Sequence, residues 1–448
     1  MGSKIFKYLN LHSYPLLFVL GSLVFYSVFA YGLDRTDFPK LLGLFAALFF
    51  FQWKLIQFEK WNLRFLLGAG LLFRLVFLFA VPNLSQDFYR FLWDGQLIIN
   101  GINPYLHLPK ELLHQPAFNI PHAEQLYNGM GTLSARNFSN YPPLNQIFFA
   151  LTAALGGHTI LGGLAATRAL LIFADLGTLY FGRKLLKRFN LAPNTFFWYF
   201  LNPLVIIELT GNVHYEGVLL FFFVWAVHLL ACGRWQWAGV AMGASISVKL
   251  VPLLFLPVFL KYLGFKKSVG FYSLAAVTCV LLFLPFYTPE FVENYTRTLG
   301  LWFSNFEFNA SMYNVVKAIG VDYFGAKPWE LIKSYGQITP YLTVAVLLLF
   351  TFVPRNETLP KVLLSILWVL AFYFFLAAVV HPWYVLFPLV LCLFTPYRFP
   401  LVWSGMVVLS YFAYSQLDFK ENLGLLALEY GVVFSFMVYE MATLRHKT

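Results

Sequence analysis

The chain is 448 residues long, 60% hydrophobic and 11% charged, with 52 Phe and with 31 Lys and Arg against 20 Asp and Glu. Ordinary globular domains hold roughly 45–50% apolar and about 25% charged residues, so polar side chains are too few here to cover a water-soluble fold. A mean hydropathy of +0.68 and long apolar runs also exclude a disordered chain, a coiled coil and a nucleic-acid module, despite an isoelectric point near 9.3.

Apolar runs of spanning length lie near 14–33, 41–58, 63–81, 159–182, 193–210, 215–232, 267–287, 338–354, 360–380, 383–396, 400–416 and 422–444. They predict an all-α polytopic membrane protein, one transmembrane domain over 1–448 with about 12 spans. The first run is too long for a signal-peptide core and reads as an uncleaved span. Residues 143–157 are short, and 236–262 are interrupted by Lys249 and Pro252. Each suits a re-entrant dip or a pair of short helices. With the N-terminus in the cytoplasm, segments on that side carry 18 Lys and Arg against 10 in the far longer outer segments. Both termini are therefore expected in the cytoplasm, with two long external loops, 82–142 and 288–337. Their mix of aromatic, amide and apolar residues suits amphipathic helices lying on the membrane. Cys232, Cys279 and Cys392 each fall in an apolar run and read as small buried hydrophobes.

The first long loop opens with Ser85-Gln86-Asp87-Phe88-Tyr89-Arg90-Phe91-Leu92-Trp93-Asp94-Gly95. In a helix, Asp87, Arg90 and Asp94 share one face at a membrane–water boundary. An Asp–Arg pair pinning an interfacial helix is the bland alternative. Gly101-Ile102-Asn103-Pro104-Tyr105 reads as an architectural turn. Tyr141-Pro142-Pro143-Leu144 returns the loop to the membrane, with Tyr141 a lining residue or a belt aromatic. Ionisable groups at membrane depth are costly and mark candidate sites: Arg74, Arg168 with Asp175, Lys249 and His381. Arg168 and Asp175 are expected to satisfy each other or a neighbouring helix. Lys249, in Ser247-Val248-Lys249-Leu250-Val251-Pro252, has no acid nearby in sequence and invites an anion. Two polar turns follow the same pattern: Asn212, His214 and Glu216 in one, His381 and Tyr384 in the other. Amides, carboxylates and aromatic faces are the groups that bind sugars. Two ligands in one turn are too few for a metal site. Nucleotide-binding loops, a nucleophile elbow and CxxC pairs are missing from the sequence, so a lipid-linked donor is favoured over a nucleotide sugar.

The stretch from Asp87 to Gln96, with Gly101–Tyr105 behind it, resembles the first external loop of GT-C superfamily glycosyltransferases. The nearest likeness is to bacterial polyprenyl-phosphate-mannose-dependent mannosyltransferases, and a more distant one is to the GPI-anchor mannosyltransferases. It continues through Tyr141–Leu144, Asn202-Pro203, Gly211–Glu216, Ser247–Pro252 and His381–Tyr384, covering most of the membrane core. The resemblance implies a GT-C-like helix bundle in a bacterial inner membrane with an external active site. It also implies an inverting transfer of a sugar, mannose above others, from a polyprenyl-phosphate donor to a glycan or lipid-linked acceptor. Asp87 maps onto the family's loop acid. Gln86 stands where a second acid occurs in relatives, so the likeness carries over no metal site and no cofactor.

On this expectation Asp87 is the general base and Arg90, Lys249 and His381 hold the donor phosphate. Asp94, Tyr141, Asn212, His214, Glu216 and Tyr384 complete the substrate site, Asp94 by holding its helix. The rival reading is a secondary transporter or flippase of lipid-linked sugars, because charged groups and broken helices also mark transport pathways.

Overall fold

The computed structural model describes residues 11–304 and 306–445. Lys4, Lys7 and Lys447, which belong to the cytoplasmic charge excess, lie outside them. Among the described residues the regular elements are helices, with one isolated bridge, Phe308 to Val379, between them. In chain order the main helices are α1 (Ser13–Gly32), α2 (Phe38–Glu59), α3 (Leu63–Leu75), α4 (Asp87–Ile99), α5 (Pro143–Leu155) and α6 (Ile160–Arg188). Then come α7 (Glu216–Ala231), α8 (Trp235–Val248), α9 (Phe265–Phe283), α10 (Pro289–Ser304) and α11 (Met312–Phe324). The C-terminal part holds α12 (Pro328–Phe352), α13 (Leu359–Leu376), α14 (Leu386–Cys392), α15 (Phe399–Met406) and α16 (Leu423–Arg445).

Helix starts follow local chemistry. Asp37 accepts from Lys40 N at 3.2 Å to cap α2, and Thr159 accepts from Gly162 N at 3.0 Å to cap α6. Pro143 and Pro328 begin α5 and α12, where a missing N–H costs nothing.

Among the described residues seven helices, α1, α2, α6, α9, α12, α13 and α16, are long and apolar enough to cross a membrane, or eight units if the bent pair Pro203–Gly211 and Glu216–Ala231 counts as one. The chain is thus an integral membrane protein, with fewer long spans than the 12 apolar runs suggest. The difference lies in polar and proline breaks. The run at 193–210 divides at Asn202-Pro203 into short turns, and 383–396 and 400–416 become α14 and α15 with 3-10 segments. Almost every residue from Phe196 to Leu220 is buried. Irregular backbone at membrane depth is tolerated where protein surrounds it, and here the longer helices provide that wall.

Buried charges tie the bundle together. Arg74 is fully buried; its Nε lies 2.8 Å from Asp175 Oδ2, and it donates to Gly70 O at 2.9 Å and Phe200 O at 2.8 Å. Arg168 donates to the carbonyls of Thr210 at 2.8 Å, Gly211 at 3.0 Å and Leu78 at 3.2 Å. Of the two alternatives for Arg168 and Asp175, the neighbouring elements satisfy both. A guanidinium in such a place must saturate its fork or pay heavily for desolvation.

The loop 82–142 is built on α4, which crosses α5 closely. At Gly95 an added Cβ would stand 2.3 Å from the Phe149 carbonyl oxygen. The loop 288–337 carries α10 and α11, and its Phe308 exchanges backbone hydrogen bonds with Ala378 and Val380 at 2.9 and 2.8 Å.

Candidate active site at the helix breaks

Asp87 opens α4, where the free N–H groups of a helix start favour a carboxylate. It is partly exposed in a recess, and desolvation raises its pKa above the ordinary aspartate value. His214 and Lys249 oppose that rise. The sequence expectation placed Arg90 beside Asp87, at the donor phosphate. Arg90 instead turns into the loop: Nε donates to Asp94 Oδ1 at 2.7 Å and Nη1 to Ser134 O at 2.8 Å and Asn137 O at 3.0 Å. Asp94 is fully buried and also accepts from Ser139 Oγ at 2.6 Å and Gln146 Nε2 at 2.9 Å. Of the three residues on that helical face, two knit the loop and only Asp87 is left open. Tyr141 packs its ring edge-on against Phe91 at 5.0 Å, within electrostatic reach of Asp87.

Opposite α4 lies the bent pair, turned through 114°. Residues Ile206–Gly211 form a π-helix, a widened turn common at functional sites. Val213 follows with φ 59° and is fully buried. A β-branched residue in the left-handed region costs on the order of 1–3 kcal/mol. That turn sends Asn212, His214 and Glu216 to one place. Asn212 accepts from Leu84 N at 3.4 Å, stitching the turn to the chain just before α4. Phe91 and Tyr215 meet edge to face at 5.4 Å across the same seam.

Lys249 ends α8 in extended backbone, where the helix breaks before Pro252. Contrary to the sequence reading, it has an acid: its ammonium pairs with Glu216, 33 residues earlier, at the start of α7. The Lys249 side chain is 26% exposed, the Glu216 side chain 7%, so the ammonium still faces the recess. Its Nζ also lies 5.6 Å from the centre of the Tyr384 ring. His381 stacks on Trp383 at 4.4 Å, and Trp383 stacks on His214 at 3.8 Å. Burial, with His214 and Lys249 adding to it, lowers the His381 pKa to about 3. His381 therefore enters the site as a neutral ring rather than a fixed cation.

The structure brings Asp87, Asn212, His214, Glu216, Lys249, His381 and Tyr384 around one recess and sets Arg90 and Asp94 behind it. Several buried polar atoms there have no hydrogen-bond partner among the described residues: His214 Nε2, Glu216 Oε2, Ser247 Oγ and His381 Nδ1. An unsatisfied buried donor or acceptor costs about 1–3 kcal/mol, and a polar ligand in the recess would recover that. Among the described residues no three His, Cys, Asp or Glu side chains gather as metal ligands would. Sequence reasoning missed Glu208, Tyr411 and Trp383. Glu208 did leave a signal, a lone acid inside the apolar run 203–210.

An all-helical bundle with polar and ionisable side chains gathered at its helix breaks defines an integral membrane protein with a candidate ligand site there. The chain matches the alpha-(1->6)-mannopyranosyltransferase N-terminal domain family over residues 40–263, half its length, and belongs to that family. The matched part contains Asp87, Glu208, the Asn212–Glu216 turn and Lys249, but not His381 or Tyr384. The chain is 26% identical over 179 residues to alpha-(1->6)-mannopyranosyltransferase B of Corynebacterium glutamicum, covering 38% of this chain and 29% of that protein. To the A enzymes it is 22% identical over 213 residues for Mycobacterium tuberculosis and 26% over 197 residues for C. glutamicum. Those matches cover 46% and 43% of this chain and 39% and 38% of the relatives. The chain thus spans well under half the length of each of these relatives.

Proposed function

We propose that this protein transfers mannose from a polyprenyl-phosphate donor to a glycan or lipid-linked acceptor, on the outer face of a bacterial inner membrane. Family membership supports the sugar and favours transfer over transport. The observation that carries the chemistry is Asp87, an open carboxylate at a helix start facing Lys249 and His214 while its neighbours Arg90 and Asp94 are committed elsewhere.

In the proposed step an acceptor hydroxyl, hydrogen-bonded to Asp87, attacks the anomeric carbon. Its oxygen forms the new bond as the carbon–oxygen bond to phosphate breaks on the opposite face. The bonding pair leaves with the phosphate, and Asp87 takes the hydroxyl proton. Inversion to an alpha product requires a beta-linked donor. Lys249 meets the departing phosphate as a point charge, and Glu216 keeps that ammonium in place. Asn212, Glu216 and Tyr384 supply the amide, carboxylate and ring face that a sugar needs. Arg90 and Asp94 support the loop. Single acidity at Gln86-Asp87 points to catalysis without a metal.

The deciding experiment incubates purified protein with a panel of polyprenyl-phosphate sugars and a mannan acceptor, with and without a chelator. Transfer from the mannose donor alone, unaffected by the chelator, is expected. No turnover of any lipid-linked sugar would remove the reading, and a chelator-sensitive rate would remove its metal-free part.

A further inference from the structure

Glu208 has no part in the step above, yet its surroundings are built around His214. It is fully buried in the π-helical turn. One carboxylate oxygen accepts from the Tyr411 hydroxyl and from Asn212 Nδ2 at 3.1 Å. The other lies 2.9 Å from His214 Nδ1, close enough for an ion pair but not aligned as a hydrogen bond. Backbone adds a second tie, His214 N donating to Glu208 O at 3.1 Å. Trp383, stacked at 3.8 Å, restricts the ring plane. Among the described residues the buried Nε2 has no partner, and Nδ1 has the 2.9 Å approach of Glu208 alone.

We propose that Glu208 is a positioning residue that holds His214 from behind, so that Nε2–H meets the leaving phosphate of the lipid-linked donor. The inference rests on the function proposed above and extends it. A ring clamped at one nitrogen by a carboxylate, with the other nitrogen free toward the reacting group, has its orientation set before substrate arrives. With phosphate bound, the imidazole lies between two anions, one at each ring nitrogen. No proton changes hands: as the carbon–oxygen bond breaks, Nε2–H strengthens its hydrogen bond to the oxygen that receives the electron pair. A histidine kept only for packing needs neither the buried carboxylate nor an open nitrogen. The left-handed Val213 next to it shows the backbone bent to bring the two together.

The test is a double-mutant cycle in the full-length protein, with short-chain polyprenyl-phosphate mannose as donor and short-chain polyprenyl phosphate as a binding probe. Glu208→Gln places an amide N–H against His214 Nδ1, and His214→Gln removes the ring. Each is expected to raise the donor KM and weaken phosphate binding at least about tenfold, at unchanged acceptor KM, and the pair together to do no more than His214→Gln alone. If Glu208→Gln fails to fold, Tyr411→Phe takes its place in the cycle and is expected to raise donor KM only when His214 is present. Losses that multiply, or a lowered melting temperature at unchanged donor KM, would overturn the positioning role while leaving the transferase reading intact. Wild-type protein that cannot turn over the donor would remove both.

Discussion

Three carboxylates close to the recess differ in what their oxygens already hold. Among the described residues Asp94 accepts from three side chains, Glu216 from one lysine, and Asp87 from none. Asp87→Asn keeps the shape and removes the basic oxygen, so transfer should fall at least about 100-fold while donor affinity persists. Steady-state rates on folded protein check this, and near-normal transfer would move the base elsewhere. Asp94→Asn, by contrast, should cost folded yield before it costs rate. The pH profile follows from the same site. Burial disfavours the carboxylate of Asp87, so its proton stays on to a higher pH than on a free aspartate. Acidification should therefore switch transfer off above the usual aspartate range, and Asp87→Asn should abolish that limb. Lys249→Met should raise donor KM roughly 10- to 100-fold, the range for a lost charge-assisted hydrogen bond. It also strands Glu216, so the single variant should melt lower. Adding Glu216→Gln should restore the melting temperature without restoring donor KM. Donor KM recovered in the double variant would mean that Lys249 serves the fold alone.

At the scale of elements, the crossing of α4 and α5 sets the position of Asp87. Gly95 leaves no room for a methyl group against the Phe149 carbonyl. Gly95→Ala must push the helices apart, and a backbone atom cannot yield as a side chain can. A loss of about 1–3 kcal/mol of stability is expected, with a lower rate at every donor concentration because α4 carries the base; thermal melting and kcat read the two effects. Unchanged melting and kcat would show that the crossing has slack. This level also marks where the sequence stops being legible. Helical periodicity exposed the shared face of Asp87, Arg90 and Asp94, and Pro252 after Lys249 announced a break that the structure keeps. Periodicity says nothing of contacts between elements. Lys249 looked unpaired because Glu216 lies 33 residues away, and Arg74 meets Asp175 across 101 residues. Runs such as 193–210 passed for spans because hydropathy registers burial and not its source. A helix wrapped in other helices is as apolar as one wrapped in lipid. Glu208 stood in such a run and was readable as a costly acid, but its partner Tyr411 was not.

Over the whole molecule, long helices enclose shorter and bent ones, and the polar recess sits where the inner elements break. The orientation of this assembly is a prediction from the sequence, in which the 12-run assignment puts 18 Lys and Arg on the cytoplasmic side and 10 outside. Single cysteines placed at Lys110 and at Lys327 should react with an impermeant reagent from outside intact cells, and one at Lys187 only after the membrane is opened. Reaction of the first two solely from the cytoplasmic side would invert the topology and move the recess with it.

The stacking of Trp383 on both His214 and His381 gives this recess an optical property of its own. A protonated imidazole at van der Waals distance drains the excited state of an indole, whereas a neutral one does so weakly. Trp383 emission therefore reports the charge on the two rings that flank it at 3.8 and 4.4 Å. A phosphate arriving beside either ring should change it. Eleven other tryptophans contribute background, so the signal is the difference between the protein and its Trp383→Phe variant. Titrated with polyprenyl phosphate, that difference would register occupancy of the recess without any turnover, label or acceptor.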